Sequence, residues 1–562
     1  MALIQKLNGK ADELRQTFRS RGWEKIGLDI KRYVVPDRGR LLQGKTESKS
    51  NDYDKGDRAW VVDDTGEQAN NFLVSGFMGM LTPNDTFWFQ LTTGNPELQK
   101  IKRVGVWLDD VSELMHTVMR NSDVYSSFQS SFTELFSFGT AAQILFEDEV
   151  DTILPVSLTW GEYLIGTNGK NEVDTIMREF YMTAQQMKDQ FGEDKLCKQV
   201  KHQLKNTANA AEKRIRVMHL IEPNDGRRGV SNPAGMPVNS LYWDEFAKDG
   251  DEPLSVSGFE EFPAQVPRSS TISNDTYGKE SPGMKQLSNI KALQSVVRDT
   301  FIISKRMGDP PLVSDINAAN VSNLPGRVNM LTDSTGQTSG IQPLFQNYNP
   351  RVDYLYELAR QQRELIEKGF FNPLFLNITN ADTDRMTATE VVARNEEKFA
   401  MLGPILNRVY NNLLKPTIDR IFNILTRQGF FDEDGLYPFP PELSETELDI
   451  EYTSILAQAQ QAVGLNNLDR FVERLGILMQ LDGSVIDNVD MDAIIRRYGK
   501  TVPAEAFVEV EEMIAAREAQ AAQQAAMAQM AAMESGAQVS KDLSQAKLGQ
   551  NSALDALAEE EG

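Results

Sequence analysis

The feature that most constrains the fold is the stretch 372–425, in which a polar segment leads into one very long helical pattern. The segment NPLFLNITNADTDR reads as irregular, and Thr387 to Glu390 then match a capping box. Spacings of three, four or their sums predict a helix whose apolar positions are Val391, Phe399, Leu402, Leu406, Val409, Leu413, Ile421 and Leu425. A long helix behind a polar loop is typical of mechanical architecture rather than of a catalytic pocket.

Two prolines fall inside this helical pattern. Pro404 follows Gly403, and Pro416 lies about three turns further on. Each proline removes an intrahelical hydrogen bond, so we expect a kink at each position.

Composition limits the class of protein. A chain of 562 residues is too long for one core, and about two to four domains are expected. The formal charge of −23 is opposite in sign to that of a protein that grips nucleic acid with its whole surface, although a strong negative charge often reflects solubility alone. The single cysteine, Cys197, excludes an intrachain disulfide and fits synthesis in a reducing cytosol.

Neither a signal peptide nor a membrane segment is expected. The N-terminus lacks an apolar core, and the longest apolar run, 72–81, is about half the length of a bilayer span.

The remaining patterns predict an α+β fold that is predominantly helical. Helical spacing covers residues 2–34, 63–81 and 99–121, and a further helix leads to a strand at 142–148. Residues 151–263 have the alternation of a mostly antiparallel sheet. Long helices at 281–306 and 351–369 then flank a short β-rich stretch, and further helices follow from residue 455.

Motifs for catalysis are missing from the sequence. His116 lies within an amphipathic pattern and is expected to be a structural histidine, and no HExxH, Cys/His cluster or GxSxG occurs. The nearest approach to a phosphate loop, Gly161 to Gly166, lacks the lysine. We therefore expect no catalytic residue, metal or cofactor, although an acidic chain could hide a pair of hydrolase carboxylates.

Four stretches in order resemble the head-to-tail connector, or portal, of T7-like short-tailed bacteriophages. They are LVSGFMGMLTPNDTFWFQLT (73–92), residues 106–142, residues 257–283 and MTATEVVARNEEK (386–398). The resemblance covers residues 5–515. It implies a ring of about twelve subunits around an axial DNA channel at one capsid vertex.

The resemblance also implies a domain plan. It assigns 1–280 to a wing, 281–306 and 351–369 to two stem helices, 307–350 to a clip, 370–386 to a channel loop, 387–430 to a long kinked wing helix, 431–515 to a connection and helical crown, and 516–562 to an Ala/Gln-rich, partly disordered tail.

The implied partners are those of a genome-packaging vertex. They are further copies of the chain, double-stranded DNA, the terminase large subunit, a tail adaptor protein, scaffold and major capsid proteins and internal core proteins. The protein would be made in the bacterial cytoplasm and would reside in the virion, where the genome is packaged, retained and released through it.

Two sets of candidate site residues follow from this resemblance. The DNA-facing loop set is Asn372, Asn377, Asn380, Asp382, Asp384 and Arg385, and the inter-subunit set on the second stem helix is Arg351, Asp353, Glu357, Arg360, Arg363 and Glu364. The alternatives are a plain surface connection for the loop and a solvated helix face for the charges.

Two other functions stay open at this point. Another ring-forming head–tail adaptor or tail structural protein would share the virion context, although such adaptors are generally much smaller. An acidic hydrolase with unrecognised carboxylates is the enzyme alternative.

Overall fold

The computed structural model describes a discontinuous set of residues. These are 3–39, 58, 61–94, 98, 101–148, 150–205, 213–225, 235–248, 250–271, 275–308, 312–314, 341–343, 352–379, 402–443 and 448–452. The chain divides into two compact units. The larger lies within Met1–Gln90, Ser112–Pro438 and Ile450–Val463, and the smaller within Leu91–Val111, Phe439–Asp449 and Gly464–Gly562.

The helices are α1 Leu3–Ser20, α2 Trp23–Tyr33, α3 Thr65–Leu81, α4 Lys102–Asn121, α5 Val124–Phe138, α6 Ala184–Phe191, α7 Lys198–Leu204, α8 Pro282–Gly308, α9 Val352–Gly369, α10 Asn372–Thr379 and α11 Lys415–Arg427. Residues 402–409 are also α-helical and run through a π-helical turn, Tyr410–Leu414, into α11. Pro441–Leu443 form a 3₁₀ turn. In the described part of the chain, no helix is long and apolar enough to cross a bilayer.

The strands are β1 Phe89–Thr93, β2 Ala142–Asp148, β3 Thr152–Leu158, β4 Tyr163–Thr167, β5 Val173–Thr183, β6 Arg214–Pro223, β7 Val238–Asp244, β8 Ser255–Phe259, β9 Ala264–Gln265, β10 Leu312–Ser314, β11 Ile341–Pro343 and β12 Leu448–Tyr452. Their order is β4-β5-β6-β7-β8 in the largest sheet and β3-β2-β9 in a second, with two-stranded sheets β1-β12 and β10-β11. The two larger sheets are antiparallel throughout, which confirms the predicted α+β class.

The predicted N-terminal helix is in fact two helices. Gly22, at φ +75°, takes a left-handed conformation that favours glycine, and it separates α1 from α2. The break lets Phe18 and Trp23 both pack on the buried Trp160, with ring centroids 5.4 and 6.5 Å from it. The helical pattern of 2–34 was therefore correct, and its continuity was wrong.

Helices α6 and α7 pack on the five-stranded sheet through a cluster of apolar side chains. A capping box at Thr183 and Gln186 starts α6. Met187 of α6, Val200 of α7 and Val217 of β6 are fully buried in one apolar cluster. Cys197, just before α7, is half-buried, and its thiol donates to Asp244 Oδ1 over 3.6 Å. Burial chiefly, and then the Asp244 carboxylate, raise the pKa of this thiol.

His116 is structural, as predicted. It is 2% exposed, and its Nε2 lies 3.1 Å from the Phe89 carbonyl oxygen. Burial lowers the pKa of His116 to about 4, so the ring is neutral at pH 7 and donates to that carbonyl.

The smaller unit contributes little to the described residues. Within it, the Trp107 ring packs edge-on against Phe439, with centroids 4.8 Å apart. The predicted tail, 516–562, and the part of the predicted connection and crown from residue 453 onward lie outside the described residues.

Candidate functional site

The two long helices predicted on either side of the β-rich stretch, α8 and α9, pack against each other. Each buries a few apolar side chains, Ile290 and Leu293 on α8 and Ala359 and Ile366 on α9. Between them, the described residues of 307–350 form only the antiparallel pair β10-β11, in which Val313 faces Gln342. The described residues therefore have the predicted order of a long helix, a short antiparallel strand pair and a second long helix.

The start of α8 is fixed to the end of α5. Ser281 Oγ accepts the Met284 N–H over 3.1 Å and donates to the Ser137 carbonyl over 2.7 Å. Ser281 therefore caps the helix, as serine before a first-turn proline favours, and at the same time anchors it.

Asp63 joins both long helices to the start of α3. Its carboxylate accepts the Thr65 N–H over 3.0 Å and the Arg363 guanidinium of α9 over 2.7 Å. Burial alone would raise the pKa of Asp63, but the hydrogen bonds from Thr65 and Arg363 outweigh it and lower the pKa. Gln294 of α8 completes the joint, because its Oε1 accepts the Val62 and Asp63 N–H groups over 2.7 and 3.1 Å.

The predicted inter-subunit charges have the following positions. Arg360 pairs within α9 with Glu357 and Glu364 at 2.8 and 3.1 Å, and Asp353 is exposed. Arg363 instead pairs within the chain, with Asp63 at 2.7 Å. Arg351 lies outside the described residues.

The expectation of an irregular segment from Asn372 is wrong for residues 372–379. Residues 372–379 form α10, and Asn372 is only 6% exposed. With its amide oriented so that the nitrogen donates, Asn372 reaches the Ala69 and Phe370 carbonyls, both at 3.1 Å. Asn372 is therefore a buried residue that anchors α10 on α3.

Phe375 provides the second anchor of α10. A Cβ atom added at Gly76 of α3 would lie 2.6 Å from Phe375 Cδ1, so the absence of a side chain at Gly76 creates the space that this ring fills. The ring also lies 5.8 Å from that of Phe77. Asn377 is within α10, whereas Asn380, Asp382, Asp384 and Arg385 lie outside the described residues.

The long helix has a π-helical turn ahead of Pro416. The Lys415 N–H donates to the Tyr410 carbonyl, a five-residue step that ends the turn where Pro416 has no N–H to give. Pro404, next to Gly403, lies in the α-helical part 402–409, and residues 387–401 are outside the described residues. The predicted apolar positions Leu402, Leu406, Val409, Leu413, Ile421 and Leu425 are all at most 1% exposed, which confirms the helical period.

A buried polar network holds the helix beyond the π turn. Gln143 Nε2 donates to Thr417 Oγ1 over 3.1 Å, and its Oε1 accepts from Ser127 over 2.7 Å. Thr417 Oγ1 donates in turn to the Leu413 carbonyl over 2.6 Å. Satisfied buried networks of this kind fix one arrangement of the helices that they join.

Sequence reasoning missed the groups that position these elements. Asp63, Gln294 and Phe375 bond or pack across more than two hundred residues of sequence. No local pattern marks them. The one available signal was Gly76 within the mostly apolar run 72–81, since a glycine in a helix is typical of a close approach by another element.

Comparison with known proteins gives consistent matches. The family model described as bacteriophage head to tail connecting protein matches residues 4–507. The chain is 33% identical over 548 residues to the portal protein of Salmonella phage epsilon15, covering 96% of this chain and 95% of that protein. It is 34% identical over 477 residues to the probable portal protein of Bordetella phage BPP-1, covering 84% and 82%.

Among solved structures, a chain from the virion of a native gene transfer agent particle aligns with a TM-score of 0.31 and 10% identity. The alignment covers 77% of this chain and 90% of that one.

Proposed function

This chain belongs to the family of bacteriophage head to tail connecting proteins and has the role of a portal, or head–tail connector, in a phage virion, and we propose that its copies close into a ring around a channel for double-stranded DNA. The match over residues 4–507 carries this proposal, because it takes in both long helices, the residues between them and the π-turn helix.

Charge supports a conduit rather than a clamp. Affinity for DNA comes from lysine and arginine residues that neutralise phosphates, and tight binding of this kind would slow a sliding duplex. A chain of net charge −23 repels DNA over most of its surface and leaves only local contacts.

The domain plan of the family applies to this chain as follows. Residues 281–306 and 351–369 are the stem, 307–350 the clip and 387–430 the kinked wing helix, with the wing before them and the crown after them. We place the start of the channel loop after Thr379, because α10 ends there and is anchored on α3.

The partners follow from the same role. The clip would dock the terminase large subunit during packaging and a tail adaptor protein afterwards, while the outer surface would meet scaffold and major capsid proteins and the crown would meet internal core proteins. We expect the protein to act without enzymatic activity.

Mass measurement and electron microscopy of the purified full-length chain test the ring. A closed ring of about twelve copies with an axial hole is expected. A stable monomer at micromolar concentration contradicts the proposal.

The channel loop has its own test. A phage whose chain lacks residues 380–384 should still form rings and procapsids, while its packaged genome per particle falls. The deletion leaves the anchors Asn372 and Phe375 in place. Wild-type genome yield in particles that carry the shortened chain would show that this segment does not act on DNA.

A further inference from the structure

The sequence contains two Asn-Gly pairs, and both continue as Asn-Gly-Lys, at residues 8–10 and 168–170. In an Asn-Gly pair the asparagine side chain reacts readily with the main chain, because glycine has no side chain to shield its nitrogen. The two tripeptides are identical in sequence but lie in different elements of the structure. A large difference in reactivity between them must therefore come from the fold.

Asn8 lies inside α1, where this reaction is blocked. The helix directs the Gly9 N–H to the carbonyl of Gln5, four residues back. The Asn8 side chain is held as well, because its Oδ1 accepts the indole N–H of the fully buried Trp243 over 2.9 Å. Both groups that would react are thus engaged in other bonds.

Asn168 and Gly169 lie in the turn between β4 and β5. The Asn168 carbonyl accepts the Asn171 N–H over 3.0 Å, which closes the turn, and among the described residues the Gly169 N–H has no hydrogen-bond acceptor. Gly169 is exposed, its φ is not positive, and an added Cβ would meet nothing within 4 Å. The turn therefore does not require glycine at this position, and the Gly169 nitrogen is open to reaction.

The same turn orients the amide of Asn168. Its Oδ1 accepts the Lys170 and Glu172 N–H groups, both over 2.9 Å, and its Nδ2 donates to Glu172 Oε2 over 3.0 Å. The two donors at Oδ1 stabilise negative charge that develops on this oxygen when the amide carbon is attacked. The bond to Glu172 is exposed and competes with water, so it restrains the amide only weakly.

We propose that Asn168 is a site of spontaneous covalent modification. The Gly169 nitrogen attacks Asn168 Cγ and gives its proton to water. The new C–N bond closes a succinimide ring, while Nδ2 takes a proton from water and leaves as ammonia. Water then opens the ring at either carbonyl carbon, which yields aspartate or, with the main chain running through Cγ, isoaspartate. The reaction consumes only water and changes no oxidation state.

The product alters the turn and, through it, the end of β4. A carboxylate replaces the amide that donates to Glu172, so two like charges meet there. Isoaspartate also adds a methylene to the main chain, between β4 and the Asn171 carbonyl that accepts from the Arg268 guanidinium. Because β4 is the edge strand of the described sheet and pairs with β5, we expect the change to loosen β4.

Ageing of the full-length chain in mildly alkaline buffer tests the site. Peptide mass spectrometry follows the conversion of both asparagines, with the chain either folded or in urea. In the folded chain, Asn168 should convert about tenfold faster than Asn8, whereas in urea the two rates should agree within about twofold. Equal rates in the folded chain, or faster conversion of Asn8, overturn the proposal. A tenfold difference that persists in urea overturns the role of the turn.

Gly169→Ala separates this reaction from a change in the fold. The new Cβ meets no other atom in the turn but shields the nitrogen, so conversion of Asn168 should slow about tenfold. Gly9→Ala is the matched control, since its Cβ also meets nothing, and it should leave the rate at Asn168 unchanged. Equal rates at Asn168 in these two variants would contradict the attack by Gly169.

Hydrogen exchange checks the structural consequence. Amides of β4, residues 163–167, should exchange faster in aged wild-type protein than in fresh protein, while aged Gly169→Ala should match its fresh sample. Unchanged exchange in β4 of a fully converted sample would show that the modification does not loosen this strand.

Discussion

The carboxylate of Asp63 holds the guanidinium of Arg363 at 2.7 Å, across three hundred residues of sequence, in a joint that connects the start of α3 with the middle of α9. The side chain of Asp63 is 8% exposed and that of Arg363 is 43% exposed, so only the carboxylate of this pair is shielded from solvent. The pair therefore fixes the middle of α9 to the start of α3.

Replacing Asp63 with asparagine should destabilise the fold by about 1–2 kcal/mol, because a charged hydrogen-bond acceptor is lost from a sheltered site. Asp64→Asn is the matched control, since the Asp64 side chain is exposed and its loss should cost less than about 0.5 kcal/mol. Urea denaturation at pH 7 measures both.

Acid should remove the difference between wild type and Asp63→Asn. The folded pKa of Asp63 is lowered, so its stabilising contribution is complete above the unfolded value of about 3.9 and is lost as the pH falls through the lower folded value. Melting curves over this range should converge. A constant gap down to the lowest pH would mean that the contribution of Asp63 is not ionic.

His116 should make the protein less stable in mild acid. Its folded pKa of about 4 is below the unfolded value of about 6.5, so stability is full above pH 6.5 and declines as the pH falls towards 4. His116→Gln should flatten this part of the wild-type profile. His202→Gln, at an exposed position of α7, is the matched control.

The fit of Phe375 against Gly76 predicts coupling between the two positions. Gly76→Ala should cost about 1–3 kcal/mol, because the new Cβ would overlap the ring, and Phe375→Ala should cost about 3–5 kcal/mol. The double variant should lose less stability than the two single variants added together, because the new Cβ at position 76 overlaps no ring once Phe375 is replaced by alanine. Strict additivity in urea denaturation would show that the two residues do not share a site.

The π turn predicts an unusual tolerance for a deletion. Removing the exposed Asn411 together with Pro416→Ala should turn Tyr410–Leu414 into regular α-helix and leave the buried positions on both sides in register. Removing the exposed Asp419 together with Pro416→Ala instead rotates the helix on one side of the deletion by about 100°, so that its apolar residues no longer face the core. Thermal melting should place the first variant above the second, and the reverse order would contradict the assignment of the turn.

Elements defined by periodicity were predictable from the sequence. The strand 142–148 and the long helices carry their period in their own residues, and burial of Leu406 and Ile421 follows from spacing alone. The family resemblance added the succession of elements that the family match supports.

The failures have a common physical cause. Residues 372–379 read as irregular because Pro373 and two asparagines are poor helix formers, yet Phe375 docks on α3 and tertiary packing overrides local preference. In the same way, Arg363 had no local sign of a partner at Asp63. We therefore propose that the channel segment begins beyond Thr379, where α10 ends.

Cys197 has a practical consequence for labelling chemistry. Its thiol is half-buried, donates to Asp244 and has a raised pKa, so little reactive thiolate is present at neutral pH. Since the chain has no other cysteine, thiols introduced on exposed helices would react with maleimide dyes or with each other well before Cys197 does. Fluorescent reporters and cross-links can therefore be placed in the natural sequence without first removing its own cysteine.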